Sequence, residues 1–162
     1  MVGVTKANDA MFGPPINDIT TDLNDPPAFP VGQIGPAPAS FKPLQAASYN
    51  DLRPILNPRH SPGQVFDSAL RLASSLPRWS VTFTDKPAGL IQGTAKTRVF
   101  RFTDDWVIRV RAMPGGGPGS VVDMRSRSRV GKGDLGANAA RISNFLGSLG
   151  TELLAIEPNV NE

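Results

Sequence analysis

No cysteine occurs among the 162 residues, so neither a disulfide framework nor thiolate chemistry is available. That absence fits any compartment. There is one histidine, His60, which rules out a metal site built on paired imidazoles. No apolar run approaches the roughly 18 residues of a membrane-spanning helix. The first 30 residues also lack the hydrophobic core of a signal peptide. No G-x-S-x-G elbow is present, and Ser126 and Ser128 have no evident base partner; they read as small residues that let a helix pack close. Tyr49 is the sole tyrosine, so the basic segments lack the interleaved aromatics on which nucleic-acid bases stack. What is abundant is glycine and proline, 16 of each. They dilute a composition that is 40% hydrophobic and 19% charged, with a net charge of +3. The length suits one domain with a useful core, and the mild basicity permits anionic partners without requiring them.

The most ordered signal is the stretch Val121 to Ile142, VVDMRSRSRVGKGDLGANAARI. Val122, Met124, Ser126, Ser128 and Val130 alternate with Asp123, Arg125, Arg127 and Arg129, so a pleated strand here has one apolar-to-small face and one cationic face. Trp106 to Met113 repeats the pattern, with Arg109 and Arg111 opposite Trp106, Ile108 and Val110. The connector Pro114-Gly115-Gly116-Gly117-Pro118-Gly119 favours a hairpin. The expected register pairs Arg111 with Asp123, Arg109 with Arg125 and Val110 with Met124, or lies two residues away. A one-residue slip would place arginines opposite buried positions. Arg109, Arg111, Arg125 and Arg127 then emerge on one sheet face.

After this strand the pattern predicts a helix entered at Asp134, whose carboxylate suits an N-cap. Leu135, Ala139, Ile142, Leu146 and Leu149 recur at helical spacing, and Gly150 is a natural stop. Asn138 and Arg141 lie on the adjoining face, available for polar contacts. Gly131-Lys132-Gly133-Asp134-Leu135-Gly136 matches G-x-G-x-x-G, but no parallel strand with an acidic residue follows, and Asp134 would meet the pyrophosphate. The glycines read instead as a tight strand-to-helix turn.

Half of the prolines fall in residues 1–47, which read as an extended arm or linker with a mobile start through about residue 10, where regular helix is disfavoured. Its apolar residues suit a segment wrapped on the domain. Its acids Asp18, Asp22 and Asp25 either dock on the arginine face or form Asx turns. Residues 48–162 read as a single α+β domain. The expected elements are an edge strand over Leu52 to Leu56, a helix capped by Ser61-Pro62 with an Asp67–Arg71 pair, and strands from Trp79, Leu90 and Trp106. Arg98 to Phe102 continues or bends the second of these before Asp104-Asp105 in a turn. The order β-α-β-β-β-β-α implies a two-layer fold: an antiparallel sheet of about five strands, two helices on one face, helix-grip-like. His60 reads as an exposed loop residue. Asp104 and Asp105, adjacent on an extended chain, point apart, and a salt bridge to Arg98 or Arg101 explains one of them better than catalysis does.

The run RSRSRVGKGDLGANAARI, with FRFTDDWVIRV and NDITTDLNDPPAF upstream, resembles the domain-of-unknown-function family numbered 1499. The resemblance rests on Arg125, Ser126, Ser128, Arg129, Gly131, Asp134, Gly136, Asn138 and Arg141, with the Asp104-Asp105 pair, and extends from about Pro15 to Leu149. It implies no activity. It does imply a setting at the cell envelope or periplasm, since members are often tethered to or exported across bacterial or plastid membranes. A chain of this kind is expected to be a mature form or to have lost an anchor.

Two classes of function stay open beside an uncharacterised enzyme. One is a non-catalytic binding domain at a membrane surface that reads an anionic group through Arg109, Arg111, Arg125 and Arg127. Its partner would be anionic lipid, a small anion or an acidic protein segment, and no cofactor is called for. The other is a structural or assembly module of a larger envelope protein, in which Arg129, Asp134, Asn138 and Arg141 lock sheet to helix. Neutralisation of the arginine face by Asp123 and the acidic arm competes with the first.

Overall fold

Alternation between Trp79 and Ser128 sets the architecture. The computed structural model describes residues 13–158. The expected mobile start, through about residue 10, lies outside the described residues. The elements are β1 (Asp18–Thr20), α1 (Phe41–Ser48), β2 (Ile55–Asn57), α2 (Pro62–Ser75), β3 (Trp79–Asp85), β4 (Leu90–Lys96), β5 (Thr103–Ala112), β6 (Ser120–Ser128) and α3 (Ala137–Ala155). They form an α+β fold with one antiparallel sheet in the order β1-β6-β5-β4-β3, and β2 also pairs with β6. β1 and β2 share that outer edge, β1 against Arg125–Arg127 and β2 against Ser120–Val122.

The β5–β6 register lies two residues from the first pairing expected, so pleat parity is kept. Arg109 faces Asp123, Val107 faces Arg125, Asp105 faces Arg127 and Ile108 faces Met124. One face therefore carries Trp106, Ile108, Val110, Val122 and Met124, all buried against α2 and α3. Each such side chain contributes roughly 1.5–3 kcal/mol by leaving water. Trp106 lies 4.8 Å from Trp79, which stacks on Phe145 of α3 at 5.4 Å. The indole fits because Gly93 on the neighbouring strand has no side chain; a Cβ there would come within 2.3 Å of the Trp106 ring.

α2 begins as expected, with Ser61 and Gln64 forming a reciprocal capping box and Pro62 at the first helical position. Other local details differ. Helix α1 stands in the proline-rich segment, where none was expected. Pro43 is accommodated because it lies in the first turn, where a backbone N–H has no intrahelical partner. α1 then supplies Gln45, whose side-chain amide accepts from Thr20 N–H at 3.1 Å and donates to Thr20 C=O at 2.5 Å. It acts as a missing neighbour strand for β1 and blunts that edge. The β2 strand sits slightly later than expected, beyond Pro54. α3 starts at Ala137 rather than Asp134 because Leu135 and Gly136 adopt left-handed backbone, φ 52° and 80°. It continues past Gly150 because Leu149 and Leu153 keep the apolar stripe buried, which outweighs the roughly 1 kcal/mol cost of an interior glycine.

The expected Asp67–Arg71 pair is absent. Asp67 accepts from Lys86 at 2.8 Å, while Arg71 bonds Ser68 and Glu152 of α3. His60 is buried rather than exposed. Its Nδ1 faces Asn57 Oδ1 and its Nε2 faces the Ile156 carbonyl, tying the loop before α2 to the end of α3.

Candidate functional site

Arg109, Arg111, Arg125 and Arg127 emerge on the sheet face opposite the helices, as the alternation requires. That face is not open. Residues 16–35 cross it, and their acids meet the guanidinium groups. Arg125 donates through Nε and Nη2 to both oxygens of Asp18 at 2.8 Å, forming a two-pronged pair whose side chains are each 4% exposed. Its remaining donors reach the carbonyls of Pro27 and Gly35, and Phe29 lies under the guanidinium at 4.9 Å. Arg125 thus has its hydrogen bonding and its charge satisfied internally.

Arg109 and Arg111 converge on Asp123. Oδ2 of that fully buried carboxylate accepts from Arg109 Nε at 3.2 Å and from Arg111 Nη2 at 2.6 Å. Arg109 also donates to Asp25 at 3.0 Å, and Asp22 lies 3.7 Å from both arginines. The alternatives of docking and Asx turn are both realised at Asp22, whose Oδ1 accepts from the backbone N–H groups of Asn24 and Asp25. Burial there opposes ionisation. The two N–H groups, followed by Arg109 and Arg111, outweigh it and hold the carboxyl below its ordinary value of 3.8. A depressed carboxyl stabilises the fold at pH above its unfolded value and loses that contribution as pH falls through its folded value. The stability difference between wild type and Asp22→Asn should therefore be constant above about pH 5 and shrink through the acid range below about pH 4. Denaturant melts across that range check it.

Arg127 differs from the other three. It is half-buried, and its side chain makes no hydrogen bond or ion pair among the described residues. It opens on a cavity of about 430 Å³ between the arm and the sheet, lined also by Ile34, Thr82, Gln92, Thr94 and Arg129. Gln92 closes one wall by pairing its amide with both backbone groups of Val31 at 3.1 and 3.0 Å. Asp105 reaches the same cavity but is occupied by Arg129, which donates through Nε and Nη2 at 3.0 and 2.8 Å. That pairing raises the Arg129 pKa. The cavity is left with one uncompensated positive charge.

The residues expected to lock sheet to helix divide between the two faces. Asp104 and Asp105 lie within β5, not in a turn, and their partners are Arg141 and Arg129 rather than Arg98 or Arg101. On the helix side, Arg141 donates to Asp104 at 2.6 Å, to Ser126 Oγ at 2.9 Å and to Asn138 Oδ1 at 2.5 Å. Asn138, fully buried, accepts from Ser126 Oγ at 2.6 Å and donates to Ser128 Oγ at 2.8 Å. The two serines are therefore hydrogen-bonding members of the network, not only small spacers. Asn17 joins from the arm, its carbonyl accepting from Asn138 and its amide donating to Gly131 C=O. Asp134 sets the helix start from two residues before the cap position, accepting from the Gly136 and Asn138 N–H groups at 2.9 Å each. Arg129 points the other way and is half-exposed.

Sequence reasoning missed Asn17, Gln45 and Gln92, each of which replaces a neighbouring backbone with an amide. Nothing periodic marks them; only the positions of the strands they serve would. Among the described residues no group of three His, Asp or Glu side chains could hold a metal ion, and no helix is long and apolar enough to cross a membrane. None of the curated proteins compared with the chain matches it. A family model does match, over residues 18–149, which include β1, the arginine strands and most of α3. With most of its length so matched, the chain belongs to the family described as Protein of unknown function (DUF1499).

Proposed function

We propose that this chain is a non-catalytic binding domain that recognises an anionic group at a membrane surface, in a cell-envelope or periplasmic setting. The reading is carried by Arg127, a half-buried guanidinium that faces a cavity of about 430 Å³ and has no ion pair among the described residues, since Asp105 opposite it is taken by Arg129. Keeping an unpaired charge partly out of water costs free energy that a bound anion would offset. The Thr94 hydroxyl and the half-exposed Arg129 line the same cavity and can add donors to a phosphate or carboxylate, whereas the Thr82 hydroxyl is given to the Gln92 carbonyl. The other three arginines serve to hold the arm. Titration with inorganic phosphate, followed by amide chemical shifts, should move residues around Thr94 and Arg127. Arg127→Ala should abolish those shifts while leaving the melting temperature within a few degrees. Equal shifts in both proteins, or none in either, contradict the reading.

A structural module is the second reading, favoured by the Asp104–Arg141–Asn138–Ser126–Ser128 network. Under it Arg127→Ala changes neither ligand response nor fold.

A further inference from the structure

At the end of the sheet where β4 leads into β5 and β6 runs out, the chain exposes apolar side chains in an unusual concentration. Val99, Phe100 and Phe102 are 77%, 74% and 48% exposed, and Val130 and Leu135, in the loop after β6, are exposed as well. Large side chains this open, grouped on one end, mark a surface that meets something other than water. The β4–β5 loop is held in shape rather than loose. Thr97 N–H donates to Phe102 C=O at 2.8 Å, Phe102 N–H donates to Thr97 Oγ1 at 2.9 Å, and Arg101 turns the chain with left-handed backbone, φ 54°. Phe100 and Phe102 stack on each other at 5.6 Å instead of folding back onto the core.

Charge singles out the partner. Arg78, Lys96, Arg98, Arg101 and Lys132 stand at this end and have no ion pair among the described residues. The acids there are already engaged: Asp104 by Arg141, Asp105 by Arg129 and Asp134 by backbone N–H groups. Aromatic rings at a rigid tip, ringed by unpaired cations, match the chemistry of an anionic bilayer interface, where rings sit at headgroup depth and cations meet phosphates.

We propose that this end of the sheet docks on the surface of an anionic phospholipid bilayer, with Val99, Phe100 and Phe102 entering the headgroup–acyl boundary. The proposal deepens the membrane part of the reading above and makes no use of Arg127. It also gives the arm-side cavity a fixed position relative to the surface.

The test is co-sedimentation of the 162-residue chain with vesicles of phosphatidylcholine alone or mixed with phosphatidylglycerol. The wild type should bind the anionic vesicles, less so as salt rises. Phe100→Ser and Phe102→Ser should each weaken binding on the order of tenfold, and Arg98→Ala about fivefold at low salt. All three sites are at the surface, so the melting temperature serves as a fold control. Because the chain has no cysteine, Val99→Cys gives a unique labelling point for an environment-sensitive fluorophore. Its emission should shift to the blue on anionic vesicles and be quenched by lipids carrying a shallow acyl-chain quencher. Failure of the wild type to bind overturns the proposal and leaves the patch to a protein partner. Equal binding by wild type and the phenylalanine variants also overturns it. Arg127→Ala should bind vesicles like the wild type, so failure of the phosphate experiment and failure of this one are separable.

Discussion

Arg141→Ala should be among the most damaging single substitutions in the chain, lowering stability by roughly 3–5 kcal/mol, the usual cost of leaving a buried charge without its partner. Asp104 is 1% exposed and its carboxylate is held by Arg141. The same guanidinium also reaches Ser126 and Asn138 through its other nitrogen, so its loss leaves part of the buried network with fewer donors than acceptors. For a chain of this size the loss corresponds to a fall in melting temperature of about 10 °C or more. Arg141→Lys keeps the charge but not the fork that spans Asp104 and the Ser126–Asn138 pair, and should fall between the two. Asp104→Asn combined with Arg141→Ala removes the stranded charge and should recover part of the loss. By contrast, Arg129→Ala should cost much less, because that side chain is 53% exposed and Arg127 stands directly opposite Asp105 in the ladder. A large, unrescued drop from Arg129→Ala together with a small one from Arg141→Ala would reverse the assignment of the helix lock.

The two-residue periodicity from Trp106 to Val130 made the sheet and its cationic face legible, because parity survives any even shift of register. The capping signal Ser61-Pro62 made the start of α2 legible for a similarly local reason. What the periodicity did not carry was long-range pairing. Arg129 and Arg141 are twelve residues apart in one stretch, yet they point to opposite faces and take adjacent aspartates. Only the placement of strand against helix separates them. The arm was harder still. Its prolines argued against regular structure, and the helix at Phe41–Ser48 forms because Pro43 falls within one turn of its start. The left-handed backbone at Leu135 is a tertiary effect as well, since an isolated non-glycine residue gives no local sign of it.

Of the candidate site, the arginines were visible and their occupancy was not. Asp18, Asp22 and Asp25 lie more than eighty residues from Arg109 in sequence, and Asx turns account for them from the local sequence alone. The structure makes the arm the counter-charge of the face. The proposed anion site therefore falls at Arg127, the one arginine of the four whose side chain the arm leaves without a partner, and not at Arg125.

Closure of the arm over the arginine face is tested most directly at the Asp18–Arg125 pair. Both side chains are buried, and they join the arm to β6 through two hydrogen bonds of 2.8 Å. Arg125→Ala should therefore cost roughly 3–5 kcal/mol of unfolding free energy, because Asp18 is left buried without its partner. A double-mutant cycle with Asp18→Ala should return a coupling energy above about 1 kcal/mol, the double variant being more stable than additivity allows. Arg125→Ala with an unchanged melting temperature and no coupling to Asp18 would mean that the arginine face stands open in solution, contradicting the account at its base.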